Sequence, residues 1–289
     1  MGVGFQTNPG GATLQGSLLD TCPGVGSGRD NIDVRGPEFD FSSQKVAFAM
    51  RIGESDTLDL YEVTLAMPRV CTRVTTGGAP QNGLSIHSFD PMYGSEGSLV
   101  FASTRGVGGE GPTRSLKYLL PQSDLWRLPR TGDTYGAPEP MTHLRGSELA
   151  PALMSNGQMT FTAEKASADF YQLSGRRINW DLTDYHPLLA QRAVSPDTQG
   201  MMKLSIGYGQ ATEIREGLDR NFVLIASDDG TKGAGGTVAL FNRSIGPFAA
   251  DRNDISFLRS VTFPDPAATG RAGATQGAGG DADRFFDQS

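Results

Sequence analysis

Basic residues and long apolar runs are scarce in this sequence, and each scarcity excludes a class of protein. The 289 residues hold 25 Lys and Arg against 32 Asp and Glu, a net charge of -7. This balance argues against a nucleic-acid-binding protein, because such proteins carry a basic face. No stretch reaches the roughly 18 consecutive apolar residues that a membrane-spanning helix needs. We therefore expect neither a nucleic-acid partner nor a transmembrane segment.

Motifs for catalysis and cofactor binding are also missing. The sequence has no GxSxG, HExxH or GxxxxGK[ST] motif, which removes the clearest hydrolase, zincin and P-loop signals. Residues 106–111 match GxGxxG, but Pro112 follows and the next element is a strand, so a blade loop is favoured over a phosphate cradle. His87, His143 and His186 lie far apart and are expected to cap or hydrogen-bond. We predict no cofactor and no metal site.

The N-terminus and the two cysteines leave the compartment open. The first residues lack a basic region followed by an apolar region, so they do not form a signal peptide, and Gln6 breaks the myristoylation pattern. The protein is then cytoplasmic, or it is periplasmic or secreted and its original start is missing. Cys22 and Cys71 are either two separate buried thiols or one disulfide, which would imply an oxidising compartment. Without CxxC or CxxCH, a c-type haem is excluded.

Glycine and proline are abundant and favour a fold with many turns. The chain has 38 Gly and 17 Pro. Glycine loses much backbone entropy inside helices and strands, and proline removes a hydrogen-bond donor. A long-helix bundle or a coiled coil is therefore excluded, and we expect many short elements.

A repeat of about sixty residues is the most informative feature of the sequence. Each copy has a proline, a polar turn and an apolar strand centred on a phenylalanine about ten residues later, and a fainter fourth copy starts at a threonine. Polar turns of this kind favour antiparallel hairpins. The copies run from Pro37 to Phe48, Pro91 to Phe101, Pro151 to Phe161 and Thr212 to Phe222.

Further strands complete each copy. A third strand is predicted at residues 58–65, 124–128 and 237–241 of the first, second and fourth copies, and a short outer strand near residues 72–75 and 140–144. In the first copy, Leu60, Glu62 and Thr64 alternate with Tyr61, Val63 and Leu65, and alternation of apolar and polar residues is typical of a strand. Four strands per unit, repeated radially, make a β-propeller blade.

The blades resemble the TolB-type, WD40-like PD40 β-propeller repeat. That repeat has a proline, a Ser-Pro-Asp-Gly turn, a strand ending in phenylalanine, and Asp-Leu/Ile-Tyr/Trp at the start of the third strand. Here the matching third strands begin with residues 59–61, Asp-Leu-Tyr, and residues 124–126, Asp-Leu-Trp. The turn departs from the family pattern, since it reads Ser-Ser-Gln, Ser-Glu-Gly and Ser-Asn-Gly. The resemblance covers residues 35–190 well and 200–245 weakly.

We therefore predict an all-β chain, a β-propeller of about four recognisable blades. Since the family usually has six or more, the alternatives are a closed small ring and a truncated or open propeller, whose blade edges would permit self-association. The domains are an N-terminal segment, four blades and a disordered Gly-rich tail. Their bounds are 1–35, then about 36–80, 87–145, 147–200 and 201–263, then 264–289.

The candidate ligand-binding residues lie around the third blade. We predict that residues 172–180 interrupt this blade, and Arg176, Arg177 and Trp180 are candidates to bind an anionic or sugar ligand through charge and stacking. The favoured alternative is that the arginines pair with nearby acids such as Asp181 and Asp184 and that Trp180 packs in the blade interface. Tyr185 and His186 belong to a short segment that is similar to propeller proteins related to the hydrazine synthase alpha subunit.

Two functions remain open on the sequence. The first is a non-enzymatic propeller that acts as a binding or scaffold module and contacts a protein or small ligand through its rim loops. The alternative is a fragment of a propeller enzyme related to the hydrazine synthase alpha subunit or to glycosidase-like propellers. No catalytic residue is identified.

Overall fold

The computed structural model describes strands and turns in most of the chain. The predicted tail at 264–289 lies outside the described residues. Within the described residues, no helix is long and apolar enough to cross a bilayer. The residues described are 17–26, 31–77, 79–107, 111–114, 122–167, 170–188, 194–196, 202–204, 207–214, 221–227, 237–242 and 258–260.

The chain divides into two compact units. The first unit holds residues 1–113 and 126–140, and the second holds 114–125 and 141–289. The first unit begins with a 3₁₀ helix, Leu18–Thr21. Its first sheet is antiparallel, with the order β1-β2-β3-β4. The strands are β1 (Ile32–Phe39), β2 (Lys45–Ile52), β3 (Asp59–Thr64) and β4 (Cys71–Arg73).

The second sheet has the order β10-β7-β6-β5. A second 3₁₀ helix, Ser95–Gly97, forms the turn between its first two strands, and a small separate hairpin, β8 and β9, precedes its outer strand. The strands are β5 (Ser88–Tyr93), β6 (Leu99–Ser103), β7 (Asp124–Leu128), β8 (Arg130–Thr131), β9 (Thr134–Tyr135) and β10 (Glu139–Pro140).

The second unit contains two further four-stranded antiparallel sheets, separated by a two-stranded one. The third sheet has the order β11-β12-β13-β14: β11 (Glu148–Leu153), β12 (Gln158–Ser167), β13 (Phe170–Asn179) and β14 (His186–Pro187). The pair is β15 (Val194–Pro196) and β16 (Met202–Leu204). The fourth sheet has the order β17-β18-β19-β20: β17 (Gly207–Glu213), β18 (Asn221–Ser227), β19 (Thr237–Asn242) and β20 (Leu258–Ser260). The prediction of an all-β chain with four blade-like sheets is confirmed.

The predicted interruption at residues 172–180 is wrong. Residues 172–179 are part of β13, which pairs with β12 in unbroken register from Gln158↔Asn179 to Ser167↔Phe170. The segment is rich in polar residues and therefore looks unlike a strand on its own. Its long partner supplies the hydrogen-bond ladder, which overrides the weak local propensity.

The first strand of each four-stranded sheet has a β-bulge, and the proline of the repeat marks it in the first three of these sheets. The pairing register shifts between residues 35 and 38, 89 and 92, 149 and 152, and 209 and 212. One residue of each bulge has a left-handed backbone, with φ of 54°, 50°, 50° and 53° at Gly36, Asp90, Ala150 and Gln210. A proline follows the first three, where its missing N–H is tolerated because the ladder is already broken. The bulge therefore gives the sequence repeat its physical cause.

The bulge residue Ala150 should be improved by glycine. A Cβ in the left-handed region is strained, so Ala150→Gly is expected to raise the free energy of unfolding by about 1 kcal/mol. Denaturant unfolding followed by Trp180 fluorescence, in a Trp126→Phe background, would measure this. As a matched control, Ala152→Gly in the same strand should lower stability by about 0.5–1 kcal/mol. If both variants lose stability, Ala150 carries no backbone strain.

The phenylalanines of the repeat occupy the core. Phe48, Phe101, Phe161 and Phe222 are all buried, each in the second strand of its sheet. One face of the first sheet packs against the second sheet around Leu60, Phe101 and Trp126. Each sheet is therefore anchored through its second strand, as the repeat indicates.

The opposite face of the first sheet is covered by the N-terminal segment. Leu18, Leu19 and Val25 pack on a buried cluster that includes Phe48 and Tyr61. The rings of Phe48 and Tyr61 lie nearly parallel, with centroids 6.0 Å apart. Of the two alternatives for the cysteines, the structure has the disulfide, which joins Cys22 to Cys71 in β4. This bond fastens the N-terminal segment to the sheet that it covers.

Candidate functional site

The outer edge of the third sheet gathers most of the predicted ligand-binding residues. Arg177 in β13 lies opposite His186 in β14. Asp184 lies between them, since Arg177 Nη1 donates to Asp184 Oδ2 over 2.9 Å and His186 Nε2 lies 2.8 Å from Asp184 Oδ1. The side chains of Asp184 and His186 are about half exposed, at 41% and 55%. The structure therefore forms an accessible guanidinium–carboxylate–imidazole cluster.

Arg176 and Tyr185 lie on the other face of the same edge. Successive strand residues point to opposite faces, so Arg176 is separated from Arg177. The Arg176 side chain is buried and hydrogen-bonds Tyr185, whose ring lies 6.1 Å from that of Phe161. Burial raises the pKa of Tyr185, against the opposing charge of Arg176. Arg176 is thus an internal anchor for Tyr185, while Tyr185 itself stays 38% exposed.

The loop between β13 and β14 is held rigidly by its own hydrogen bonds. Asn179 N donates to Thr183 O and Leu182 N donates to Asn179 O, each over 2.9 Å. The Thr183 hydroxyl donates to Asp181. Leu182 and Asp184 both have a left-handed backbone, with φ of 67° and 55°. For a residue as bulky as leucine this conformation is strained, and such strain is found at functional loops.

Leu182 is the residue of this edge that the sequence reasoning missed. Its side chain is 40% exposed. We name the surface formed by Arg177 of β13, Leu182 and Asp184 of the following loop and His186 of β14 the third-sheet cluster. The predicted residue Trp180 lies in the turn after β13 and is half-buried. The sequence carries no signal for it, because single exposed apolar residues are common on protein surfaces.

A second feature of the second unit is a pair of buried carboxyl groups. Glu148 is fully buried and Asp124 is 7% exposed. Glu148 Oε1 and Asp124 Oδ1 have no hydrogen-bond partner in the described structure. Burial, together with the nearby charge of Asp124, raises the pKa of Glu148 to about 8 against the opposing hydrogen bond from the Thr142 hydroxyl. Burial also raises the pKa of Asp124 to about 6.

Perturbed carboxyl pairs often mark acid–base chemistry, but this pair has a structural setting. Glu148 N donates to Ser123 O over 2.8 Å, and the Ser123 hydroxyl donates to Glu148 O over 2.7 Å. The equivalent bond in the first unit joins Ser88 N to Leu58 O, also over 2.8 Å. Glu148 is therefore in the position that Ser88 has in the second sheet, where the backbone N–H of the first strand donates to the residue before a third strand. Within the described residues, no group of three or more His, Cys, Asp or Glu could hold a metal ion.

The first unit holds a different polar network, centred on Glu62. Its carboxylate accepts from Lys45 Nζ over 3.1 Å and from the hydroxyls of Tyr93 and Tyr135 over 2.9 and 2.6 Å. Arg130 Nη1 also donates, over 3.3 Å. Burial alone would raise the pKa of Glu62, but these bonds outweigh it and lower the pKa. Glu62 therefore stays charged and fully satisfied, which suits a structural link between the first two sheets.

The strand predicted from the alternation at residues 58–65 is present as β3, but both of its faces are covered. Leu60, Tyr61 and Val63 are all buried, so both faces of the strand are covered. The second sheet covers one face and the N-terminal segment covers the other. Glu62 is tolerated there because it finds four donors.

Comparison with known proteins shows similarity at the level of the fold. No family model matches the chain, and no curated protein sequence matches it. Hydrazine synthase from Kuenenia stuttgartiensis is similar in structure, with a TM-score of 0.57 and 16% identity over 80% of this chain and 33% of that one. A prolyl endopeptidase gives a TM-score of 0.44 and 9% identity, over 81% and 29% of the two chains. An endo-1,4-beta-xylanase from Bacteroides thetaiotaomicron gives 0.40 and 12%, over 78% and 74%.

The likeness to hydrazine synthase carries the fold alone, because the identity is low. This chain spans one third of the length of that protein. The resemblance to the TolB-type repeat stays a prediction. Together with the four blade-like sheets, the comparison leads to the conclusion that the chain has a β-propeller-like fold.

Proposed function

We propose that the chain is a non-enzymatic binding module that takes a partner protein on the third-sheet cluster. The observation that carries this proposal is Leu182, an exposed apolar side chain held in a strained conformation by a hydrogen-bonded loop. Strain of this kind persists only where the surrounding structure enforces it. In this proposal the loop holds the leucine at the surface for contact with the partner.

The composition of the cluster also supports protein recognition. Arginine is enriched among the residues that dominate protein–protein binding energies, and Arg177 belongs to the cluster. The Asp184 bonds to Arg177 and His186 hold these side chains in place before any partner arrives. A preorganised surface loses less conformational entropy on binding.

Replacing Leu182 by asparagine should separate binding from stability. Asparagine tolerates the left-handed backbone, so Leu182→Asn is expected to keep or raise the free energy of unfolding, by up to about 1 kcal/mol. Loss of the apolar contact should weaken partner binding about tenfold. The measurements are denaturant unfolding and quantitative capture of one defined partner from an extract of the native cell.

Met67→Asn is the matched control, since Met67 is an equally apolar surface residue, 79% exposed, in the other unit. It should leave capture of the partner unchanged. Equal loss in both variants, or no loss with Leu182→Asn, would contradict a binding role for the third-sheet cluster.

A fragment of a propeller enzyme is the second candidate, and the Asp184–His186 contact favours it. A carboxylate that orients an imidazole is a common arrangement for general base catalysis. His186→Ala tests this candidate: a turnover that it abolishes would support an enzyme and overturn the non-enzymatic proposal.

The Cys22–Cys71 disulfide favours an oxidising compartment, and therefore the periplasmic or secreted alternative.

A further inference from the structure

A cavity of about 380 Å³ lies beside the first sheet, in the first unit. This volume is within the range of sites that hold small molecules. Pro23 and Gly24 of the N-terminal segment form one wall, directly after the disulfide-bonded Cys22. The other walls include Arg51, Asp56, Tyr61 and Arg73.

Tyr61 presents an unused hydroxyl to the cavity. The side chain is 3% exposed and its ring is stacked on Phe48, so it cannot turn away to solvent. No hydrogen bond to its hydroxyl is found within the described part of the chain. The hydroxyl is not among the buried polar atoms that lack a partner, so its oxygen is accessible from the cavity that Tyr61 lines. A hydrogen-bond acceptor inside the cavity would satisfy this group.

Two guanidinium groups at the cavity are fixed but not saturated. Arg51 Nε lies 3.3 Å from Asp33 Oδ2, and Arg73 Nη2 pairs with the buried Asp59. A guanidinium has five N–H donors, so each arginine keeps donors beyond these contacts. The acidic partners hold the two cations in position before a ligand binds. Asp56 also lines the cavity, so a bound anion would be recognised through the free N–H donors rather than through an excess of positive charge.

The wall formed by the N-terminal segment approaches the sheet closely. Gly24 has a left-handed backbone, with φ of 81°, and a Cβ at this position would lie 3.0 Å from Ile52 Cδ1. Glycine is therefore suited to this position both by its conformation and by the narrow gap. The disulfide next to it keeps the wall in place.

We propose that this cavity binds a small organic oxyanion, a carboxylate or a phosphate, between Arg51 and Arg73 with a hydrogen bond from the Tyr61 hydroxyl. Guanidinium groups recognise both kinds of oxyanion through paired N–H donors. The site does not involve the third-sheet cluster, so this proposal stands or falls independently of the proposed function.

Calorimetric titration of the full chain tests the proposal, with citrate and inorganic phosphate as separate probes and glycerol as the neutral control, at constant ionic strength. At least one anion should bind with a millimolar or lower dissociation constant, and the one that binds assigns the oxyanion class. Arg51→Gln and Tyr61→Phe should each weaken binding about tenfold or more. Tyr61→Phe keeps the ring stacked on Phe48, so the fold is retained.

Arg35→Gln is the matched control. Arg35 pairs with the same Asp33 over 3.0 Å, but it is exposed and does not line the cavity. This variant should bind the anion as the unmodified chain does. The proposal is overturned if neither anion binds, if either cavity variant keeps full affinity, or if Arg35→Gln weakens binding as much as Arg51→Gln.

Discussion

Removing the disulfide between Cys22 and Cys71 is expected to lower the free energy of unfolding of the first unit by about 4 kcal/mol. The bond closes a loop between residues 49 positions apart, and its loss frees the unfolded chain to adopt many more conformations. It also releases the segment whose Leu18, Leu19 and Val25 cover the first sheet. Denaturant unfolding of the Cys22→Ser/Cys71→Ser variant would measure the change.

The two tryptophans make this measurement specific. Trp126 lies in the first unit and Trp180 in the second, so single Trp→Phe variants report each unit separately. The transition seen by Trp126 should shift more than that seen by Trp180. Because the chain has two cysteines, a reductant should reproduce the effect and add nothing in the double-serine variant. A shift below about 1 kcal/mol would contradict the role assigned to this bond.

The second unit should lose stability as the pH rises, because of Glu148. Its pKa is about 8 in the folded state and about 4.5 when unfolded. A carboxyl whose pKa is raised by folding stabilises the protein fully below the unfolded pKa, and this contribution disappears as the pH rises through the folded pKa. The expected loss between pH 5 and pH 9 is on the order of 4 kcal/mol. Asp124, with its pKa of about 6, adds in the same direction.

Glu148→Gln should remove most of this pH dependence. The amide keeps the shape of the side chain and an acceptor for the Thr142 hydroxyl but cannot ionise. The variant should therefore be more stable than the unmodified chain at pH 9, as measured by Trp180 fluorescence in urea. Glu54→Gln, at an exposed position, is the control and should retain the original pH profile. Stability that rises between pH 5 and pH 9 in the unmodified chain would refute the assignment.

The repeat could be read from the sequence because its signals are local. Phe48 and its counterparts lie in apolar runs. Pro37, Pro91 and Pro151 lie in bulges, each directly after a residue with a left-handed backbone. The clusters could not be predicted, because they depend on contacts between distant residues. Glu62 looks like a surface residue until its donors Tyr93 and Tyr135 are brought to it.

The buried position of Glu148 could have been suspected from the sequence by aligning the copies of the repeat. Glu148 begins the first strand of its sheet where Ser88 begins that of the sheet before it, and an acid in place of a small polar residue at a buried linking position is unusual. The disulfide was one of two open alternatives, because sequence does not fix the approach of Cys22 to Cys71. The site residues, the partner and self-association remain predictions.

The cover on the first sheet also has a consequence for biosynthesis. Residues 18–25 leave the ribosome before any of the strands that they will cover, so their apolar side chains emerge with no surface to bury them. At typical translation rates, the 49 residues that separate the two cysteines take roughly 3 to 10 s to make. During that interval Cys71 has not yet been made, so the disulfide cannot form. The last strand of the first sheet to be synthesised is the one that fastens the earliest part of the chain.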